Sequence, residues 1–307
     1  MASPIIRRVL PIIVSLGILA YIIRTVASKE DIAAILGNLS GTYVFLACVV
    51  ALAANWVLVA RWRSLLVVAG YPLPQKHLLK IFAANLPIAK FTPGYTGDFL
   101  RSFFLKEHVP VRMHLGIIFL EAIFDVVTLL CIAIIGSMVI GNSTYAIVSS
   151  ICLFAILGVL FLIYTMPPLV PEKFRGYFTE CIEILRIAFQ NPHRMIPTLG
   201  LTFLASILSP LYVYILFMSS GASLSLYTVF AVQPIVMVVT LIPISLWGLG
   251  IRESAMLFLY TGVASGIVVS VGLLYTLIGS ILIPLLCIPF TYTIIRDTLH
   301  TLTEESR

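Results

Sequence analysis

Long stretches of apolar residues follow one another along almost the whole chain, separated by short polar segments. The uninterrupted stretches lie at residues 10–26, 43–60, 115–136, 145–165, 196–218 and 266–295. In each stretch apolar residues cover all faces of a helix, which is typical of a helix surrounded by lipid. Since a helix of about twenty residues crosses the roughly 30 Å hydrocarbon core of a bilayer, the pattern predicts an all-α, polytopic integral membrane protein with about six full spans.

Two further apolar segments, 78–106 and 226–262, contain residues that interrupt helices. The helix-breaking residues are Pro93, Gly94 and Gly97 in the first segment, and Pro243, Gly248 and Gly250 in the second. Proline removes a backbone hydrogen bond and clashes with the preceding turn, so neither segment is predicted to form one regular spanning helix. Interrupted segments at corresponding positions of two halves are typical of transporters built as inverted repeats. We therefore predict two broken, re-entrant helical hairpins in an inverted repeat, with eight ordinary, partly kinked spans as the alternative.

The distribution of lysine and arginine predicts how these elements are oriented. Basic residues concentrate in 61–80 and 166–195, whereas the connections 137–144 and 219–225 carry no charge. Because cytoplasmic loops are enriched in basic residues, the two basic loops and both termini are predicted to be cytoplasmic. We expect a multi-pass protein of the cell membrane.

The same features divide the chain into two halves within a single membrane domain, residues 1–307. The first half is predicted at about 43–165 and the second at 196–295. Apolar and charged residues recur at helical spacing in the connector between them, 166–195, which is therefore predicted to be amphipathic and to lie on the cytoplasmic surface.

Composition agrees with a membrane protein and excludes several classes of function. The chain of 307 residues is 60% hydrophobic and 10% charged, and its mean hydropathy is +1.10. Its longest segment without a spanning-length apolar run, 166–195, is too short to bury a core, so an appended catalytic domain is excluded. The net charge of +6 lies in short loops beside apolar segments, so topology explains it without a nucleic-acid partner. The cysteines and histidines show no metal-binding spacing, and we expect no metal, no other cofactor and no catalytic residue.

Charged residues inside the apolar segments are the candidate binding residues, because each costs about 2.5–3.5 kcal/mol to insert at the centre of a bilayer. Glu121 and Asp125 lie four residues apart, on one face of a predicted span. The other candidate residues lie in or beside the two breaks and are Lys90, Asp98, Arg101, Trp247, Arg252 and Glu253. We expect one charged network that crosses both breaks. In the alternative, Glu121 and Asp125 hold helices together through Arg101 or Arg252, with no ligand.

The helix breaks themselves suggest how a ligand could bind. Half-helix N-termini carry partial positive charge and favour an anion such as a lipid phosphate. Glycines at the breaks allow the chain to turn and a ligand to approach the backbone closely. By contrast, Arg61 and Arg63 follow a span and are predicted to reach the lipid headgroups, with Trp62 at the membrane interface. Trp247 is predicted either to line a cavity or to lie at that interface.

In the order of these motifs, the chain resembles the membrane domain of bacterial lysylphosphatidylglycerol synthetases and its stand-alone relatives. The motifs are Arg61-Trp62, Pro93-x-x-x-Gly97-Asp98-x-x-Arg101, Glu121-x-x-x-Asp125, and Pro243 followed by Gly248-x-Gly250-x-Arg252-Glu253. The resemblance implies a flippase-like domain that moves a lipid across the bilayer, without the soluble domain that makes aminoacylated phosphatidylglycerol. The family often has arginine directly after the glutamate of the acidic pair, where this chain has Ala122.

Our leading hypothesis is the passage of a phospholipid or lipid-linked headgroup through a polar cavity. Arg101 and Arg252 would pair with phosphate. The carboxylates of Asp98, Glu121, Asp125 and Glu253 would balance them or attract a cationic headgroup. The expected partners are membrane lipids, with a homo-oligomer or a separate lipid-modifying enzyme as further options. The alternative functions are a membrane-embedded transferase acting on a lipid-linked substrate, or a small-solute secondary transporter.

Overall fold

A computed structural model describes residues 4–27, 32–165, 172–190, 192–241 and 248–305, and these contain helices but no strand. The helices of the first half are α1 (Pro4–Ala27), α2 (Ile32–Gly37), α3 (Gly41–Val68), α4 (Gln75–Phe91), a 3-10 helix (Pro93–Leu100), α5 (Arg101–Phe104), α6 (Val111–Val139) and α7 (Ser143–Thr165). The remaining helices are α8 (Glu172–Gln190), α9 (Pro192–Ser219), α10 (Leu226–Thr240), α11 (Ile251–Leu259), α12 (Ser265–Thr276), a π-helical segment (Leu277–Leu282) and α13 (Ile283–Glu305).

Among the described residues, five helices are long and apolar enough to cross a membrane. They are α3, α6, α7, α9 and the continuous helix Ser265–Ile294, which comprises α12, the π-helical segment and the first part of α13. These correspond to five of the six predicted spans, and the all-α, polytopic class is confirmed. The sixth prediction, 10–26, lies within the 24-residue helix α1, in which Ser15–Val26 is an apolar helical segment; that α1 is a full span stays a prediction.

Both segments predicted to be broken are interrupted helices. Helix α4 continues through Pro87 and ends at Phe91, where Thr92 takes an extended conformation before the 3-10 helix begins. Pro93 and Gly94 form the start of that 3-10 helix. In the second half, α10 continues through Pro234 to Thr240.

Helix α11 then begins after two residues with positive φ, Gly248 at 73° and Gly250 at 85°. That conformation favours glycine over residues with a side chain. Pro243 and Trp247, which the sequence placed at this break, lie outside the described residues. The re-entrant character of both segments stays a prediction.

The packing of the helices relates the two halves of the chain. Helices α3 and α9 run antiparallel, because Ser64 Oγ lies 2.7 Å from Thr198 Oγ1 at one end and the Ser40 amide donates to the Ser219 carbonyl at the other. Each is followed by an interrupted helix and then by a long helix. Helix α4 packs against α13, and α10 packs against α6. Each interrupted helix thus contacts the long helix of the other half, which is the packing expected of an inverted repeat.

The connector between the halves contains the helix that its amphipathic pattern predicted. In α8, Cys181 and Ile184 are buried, whereas Glu183 and Arg186 are exposed. The buried face lies on α6, where a Cβ on Gly116 would come within 2.8 Å of Glu180 Cβ. Helix α8 therefore covers the start of α6.

Candidate functional site

Five charged side chains lie together at the first helix break, and we call them the first-break cluster. They are Arg61 of α3, Asp98 of the 3-10 helix, Arg101 of α5, and Glu121 and Asp125 of α6. Asp125 is the middle residue of α6, with 14 residues of the helix on either side. The sequence-predicted residues Asp98, Arg101, Glu121 and Asp125 are thus brought together by three consecutive elements.

Arg61 points into this cluster, so the prediction that it reaches the lipid headgroups is wrong. Its Nη2 donates to Asp125 Oδ2 at 3.1 Å, and its Nη1 donates to Asp125 Oδ1. Its Nε lies 3.7 Å from Glu121 Oε1, and the residue is only 3% exposed. Arg63, two positions further along α3, is exposed and donates from Nε to the Leu73 carbonyl oxygen.

Glu121 lies between two arginines and is 5% exposed. One carboxylate oxygen faces Arg61, and the other accepts from Arg101 Nη2 at 3.3 Å. The guanidinium of Arg101 also lies 5.1 Å from the centre of the Trp62 ring, and its Nε donates to the Asp98 carbonyl at 3.3 Å. Glu121 therefore ties α3 and α5 to α6 through two buried charge pairs.

Asp98 and Asp125 differ from Glu121 because their side chains remain accessible. The Asp98 side chain is 38% exposed and that of Asp125 is 37% exposed. Asn85 of α4 donates to Asp98 Oδ1 at 3.5 Å, and Arg101 Nε lies 3.9 Å from the same oxygen. The cluster holds three carboxylates and two guanidinium groups, so its formal charge is −1.

A chain of hydrogen bonds behind the cluster was not predicted from the sequence. Trp62, Ser102 and His114 are all fully buried. The Trp62 indole N–H donates to His114 Nε2 at 2.8 Å, and His114 Nδ1 lies 2.7 Å from Ser102 Oγ. Because the indole can only donate, Nε2 must accept, and the proton of the neutral ring lies on Nδ1 and is donated to Ser102.

This chain of hydrogen bonds corrects the prediction that Trp62 lies at the membrane interface. The guanidinium of Arg101 lies over the Trp62 ring. Through its bonds to Ser102 and Trp62, His114 joins α5 and α3 to the first turn of α6. A signal was present in the sequence: His114, Glu121 and Asp125 are spaced by seven and four residues, which places them on one helix face.

The break itself depends on Thr92 and Gly97. Thr92 Oγ1 donates to the Ala89 carbonyl at 3.0 Å and accepts from the Gly97 amide at 2.8 Å. A Cβ on Gly97 would lie 2.5 Å from Ala89 Cα, so a larger residue does not fit there. Lys90, a sequence-predicted binding residue, is half-buried in the last turn of α4.

The charged residues of the second break form a closed pair. Arg252 is 2% exposed and Glu253 is fully buried. Arg252 Nη2 donates to Glu253 Oε1 at 2.7 Å and to Thr276 Oγ1 of α12, while its Cζ lies 4.4 Å from the centre of the Tyr275 ring. Glu253 Oε2 accepts from the Gly250 amide at 2.6 Å. The pair therefore fixes the turn before α11 and joins α11 to α12.

The expectation of one charged network across both breaks requires a correction. In the part of the chain that the structure describes, the ion pairs form one group at each break. The reason is local, because Arg252 and Glu253 are neighbours in sequence and satisfy each other, while Glu121 already pairs with Arg61 and Arg101.

These features define a polytopic α-helical membrane protein with two interrupted helices and buried ion pairs at both interruptions. The chain belongs to the family described as lysylphosphatidylglycerol synthase TM region, whose model matches residues 8–287. The resemblance inferred from the motifs is thereby confirmed. The chain is also similar to the UPF0104 membrane protein MJ1595 of Methanocaldococcus jannaschii, with 26% identity over 154 residues. That match covers 47% of this chain and 44% of the archaeal protein.

Proposed function

We propose that this protein moves a phospholipid or lipid-linked headgroup between the leaflets of the cell membrane, with the first-break cluster as the headgroup site. The observation that carries the proposal is the pair of accessible carboxylates, Asp98 and Asp125, at a helix break beside the middle of α6. Substrate sites of transporters commonly lie near the bilayer midplane at discontinuous helices.

The contrast with the second break supports a ligand at the first. A pair that only holds helices together is best buried and paired within the protein, as Arg252 and Glu253 are. Asp98 and Asp125 instead leave more than a third of each side chain accessible within an apolar protein. Such exposure is unfavourable in hydrocarbon, and it is useful where a polar headgroup passes.

The formal charge of −1 indicates the headgroup chemistry. An ammonium group would pair with Asp98 and Asp125, and the phosphate of the same lipid would lie towards Arg101. Arg61 and Glu121 would hold in place the 3-10 helix, which carries Asp98, and α6, which carries Asp125. In this proposal Arg252 has a structural part, unlike the phosphate contact first expected for it.

The test is a translocation assay in liposomes that contain fluorescent phospholipids with neutral, anionic and amino-bearing headgroups, read by an outer-leaflet quencher. The Asp98→Asn variant and the double variant Asp98→Asn with Asp125→Asn should lower the translocation rate of the transported lipid by roughly tenfold or more. The reason is that each substitution removes a charged hydrogen-bond acceptor. Glu183→Gln, which neutralises an exposed carboxylate on α8, is the matched control and should transport normally.

Two outcomes would overturn the proposal. Folded Asp98→Asn and double variants that translocate every lipid at the wild-type rate would remove the carboxylates from the mechanism. A wild-type protein that moves no lipid from the panel would exclude translocation, and assays of group transfer on lipid-linked substrates would then be the next step.

The proposed orientation, with both termini cytoplasmic, has its own test. Single cysteines at Ser223 and Glu183, introduced after replacement of the five native cysteines, lie at exposed positions on opposite sides of the proposed membrane. A membrane-impermeant maleimide added to intact cells should label Ser223→Cys and leave Glu183→Cys unlabelled until the membrane is opened. The reverse pattern would invert the topology.

A further inference from the structure

An open groove of about 540 Å³ lies along the antiparallel helices α3 and α9, at the end where α4 begins. Its walls include Trp56 and Arg63 of α3, Gln75 of α4, and His193, Arg194 and Leu201 of α9. A volume of this size is in the range of pockets that bind small ligands.

The groove is separate from the first-break cluster. Arg61 and Arg63 are two residues apart, so they point to different sides of α3. Arg61 is buried against Asp125, whereas Arg63 is exposed and lines the groove. The hydrogen bond between Ser64 and Thr198 joins α3 to α9 beside the groove.

One end of the groove is rich in hydrogen-bond donors, and its lining includes no carboxylate among the residues that the structure describes. Arg63 uses Nε for the Leu73 carbonyl, and neither Arg63 nor Arg194 forms an ion pair with any residue in the described ranges. Gln75 Nε2 is buried and has no hydrogen-bond acceptor there either. A buried donor without an acceptor is unfavourable. An oxyanion with several acceptor oxygens, such as a phosphate, would satisfy all three groups.

The other end of the groove is apolar. Trp56 is 55% exposed and lies seven residues before Arg63, which is about 10 Å along the helix axis. Leu201 lies seven residues after Arg194 on α9, which runs in the opposite direction. Both helices thus change from basic to apolar in the same direction. A free phosphate would use only the basic end, whereas a phospholipid would fill both ends.

We propose that this groove binds one anionic phospholipid, whose phosphate contacts Arg63, Arg194 and Gln75 and whose acyl chain packs against Trp56 and Leu201. The site goes beyond the proposed translocation, because its residues are distinct from the first-break cluster. The bound lipid is a fixed component of the α3–α9 contact, and it is held while other lipids are transported.

The position of Trp56 provides the experiment. The full-length protein is placed in zwitterionic phosphatidylcholine nanodiscs, and phosphatidylglycerol with dibrominated acyl chains is titrated in. Bromine quenches only a tryptophan in contact with the chain, and subtraction of a Trp56→Phe variant isolates the Trp56 signal from the other two tryptophans. We expect brominated phosphatidylglycerol to quench Trp56 at much lower mole fractions than brominated phosphatidylcholine.

The arginines are tested with matched variants. Arg63→Gln and Arg194→Gln should each weaken the apparent affinity for phosphatidylglycerol about fivefold, the effect of about 1 kcal/mol per basic residue. Arg112→Gln removes the same charge from an exposed position in the first turn of α6, outside the groove, and should have little effect. Asp98→Asn should also leave quenching unchanged, so a failed translocation hypothesis and a failed lipid site give different results.

Three results would overturn the assignment. Equal quenching by the two brominated lipids would show that the groove has no preference for an anionic headgroup. An equal loss of affinity in Arg112→Gln would show only general attraction to a negative surface. Displacement of the brominated lipid by millimolar glycerol phosphate would show that the groove binds the phosphate alone and needs no acyl chain.

Discussion

Neutralising Glu121 tests whether its two ion pairs, with Arg61 and with Arg101, stabilise the first-break cluster. The Glu121→Gln substitution keeps the shape of the side chain and removes the charge that faces Arg61 at 3.7 Å and Arg101 at 3.3 Å. Removing one partner of a buried ion pair generally lowers stability by about 3–5 kcal/mol, because the other charge stays buried. Arg61 retains Asp125 and Arg101 retains the more distant Asp98. We therefore expect a loss near the lower end, about 3 kcal/mol.

The assay is reversible unfolding of the purified protein in mixed micelles with increasing mole fraction of SDS, which reports the change in the free energy of unfolding. The double variant Arg101→Gln and Glu121→Gln completes a double-mutant cycle, and we expect a coupling energy of about 1–3 kcal/mol between the two side chains. A loss below about 0.5 kcal/mol for Glu121→Gln, as for a surface substitution, would refute the reasoning. The same holds if the two substitutions add without coupling.

The remaining predictions concern the surroundings of the cluster. Trp62→Phe removes the donor to the buried His114 Nε2 and should destabilise the protein by about 1–3 kcal/mol in the same unfolding assay; an unchanged stability would mean that this hydrogen bond does not form. Gly97→Ala should also destabilise by about 1–3 kcal/mol because its Cβ would overlap Ala89, whereas Gly158→Ala in α7, which has open space around it, should be neutral or stabilising. Burial lowers the pKa of His77, with smaller contributions from the neighbouring His108 and Lys80, so the unfolded chain binds a proton at a higher pH than the folded protein. Stability measured by thermal unfolding should therefore fall as the pH drops below about 6.5, and His77→Gln should flatten that dependence; an identical pH profile in the variant would exclude His77 as its source.

The general class and the acidic pair could be predicted because lipid imposes strict requirements on sequence. A span must be apolar on all faces, so Glu121 and Asp125 stand out inside one, and the glycines and prolines mark the interrupted helices. Arg61 and Trp62 were misassigned because they stand near the end of an apolar stretch. At such positions a basic or aromatic residue can face either the headgroups or a neighbouring helix. Only the packing of α3 against α6 decides between these, and that packing depends on contacts between residues more than fifty positions apart.

The distribution of polar contacts indicates which parts of the protein move together. Within the described ranges, the ion pairs of the first break join α3, α5, the 3-10 helix and α6, all in the first half, and the Arg252–Glu253 pair lies in the second half. The halves are joined instead by apolar packing, by hydroxyl hydrogen bonds such as that of Thr128 with Ser206, and by close approaches such as that of Gly136 to the backbone of Ala231. A hydrogen bond between hydroxyl-bearing helices in a membrane contributes only about 0.6 kcal/mol on average, far less than breaking a buried ion pair costs. Relative motion of the halves would therefore leave these ion pairs of the described residues intact, whereas motion within a half would break one. The proposed headgroup site, built on the first half and opened by movement of the second half, would meet this energetic requirement.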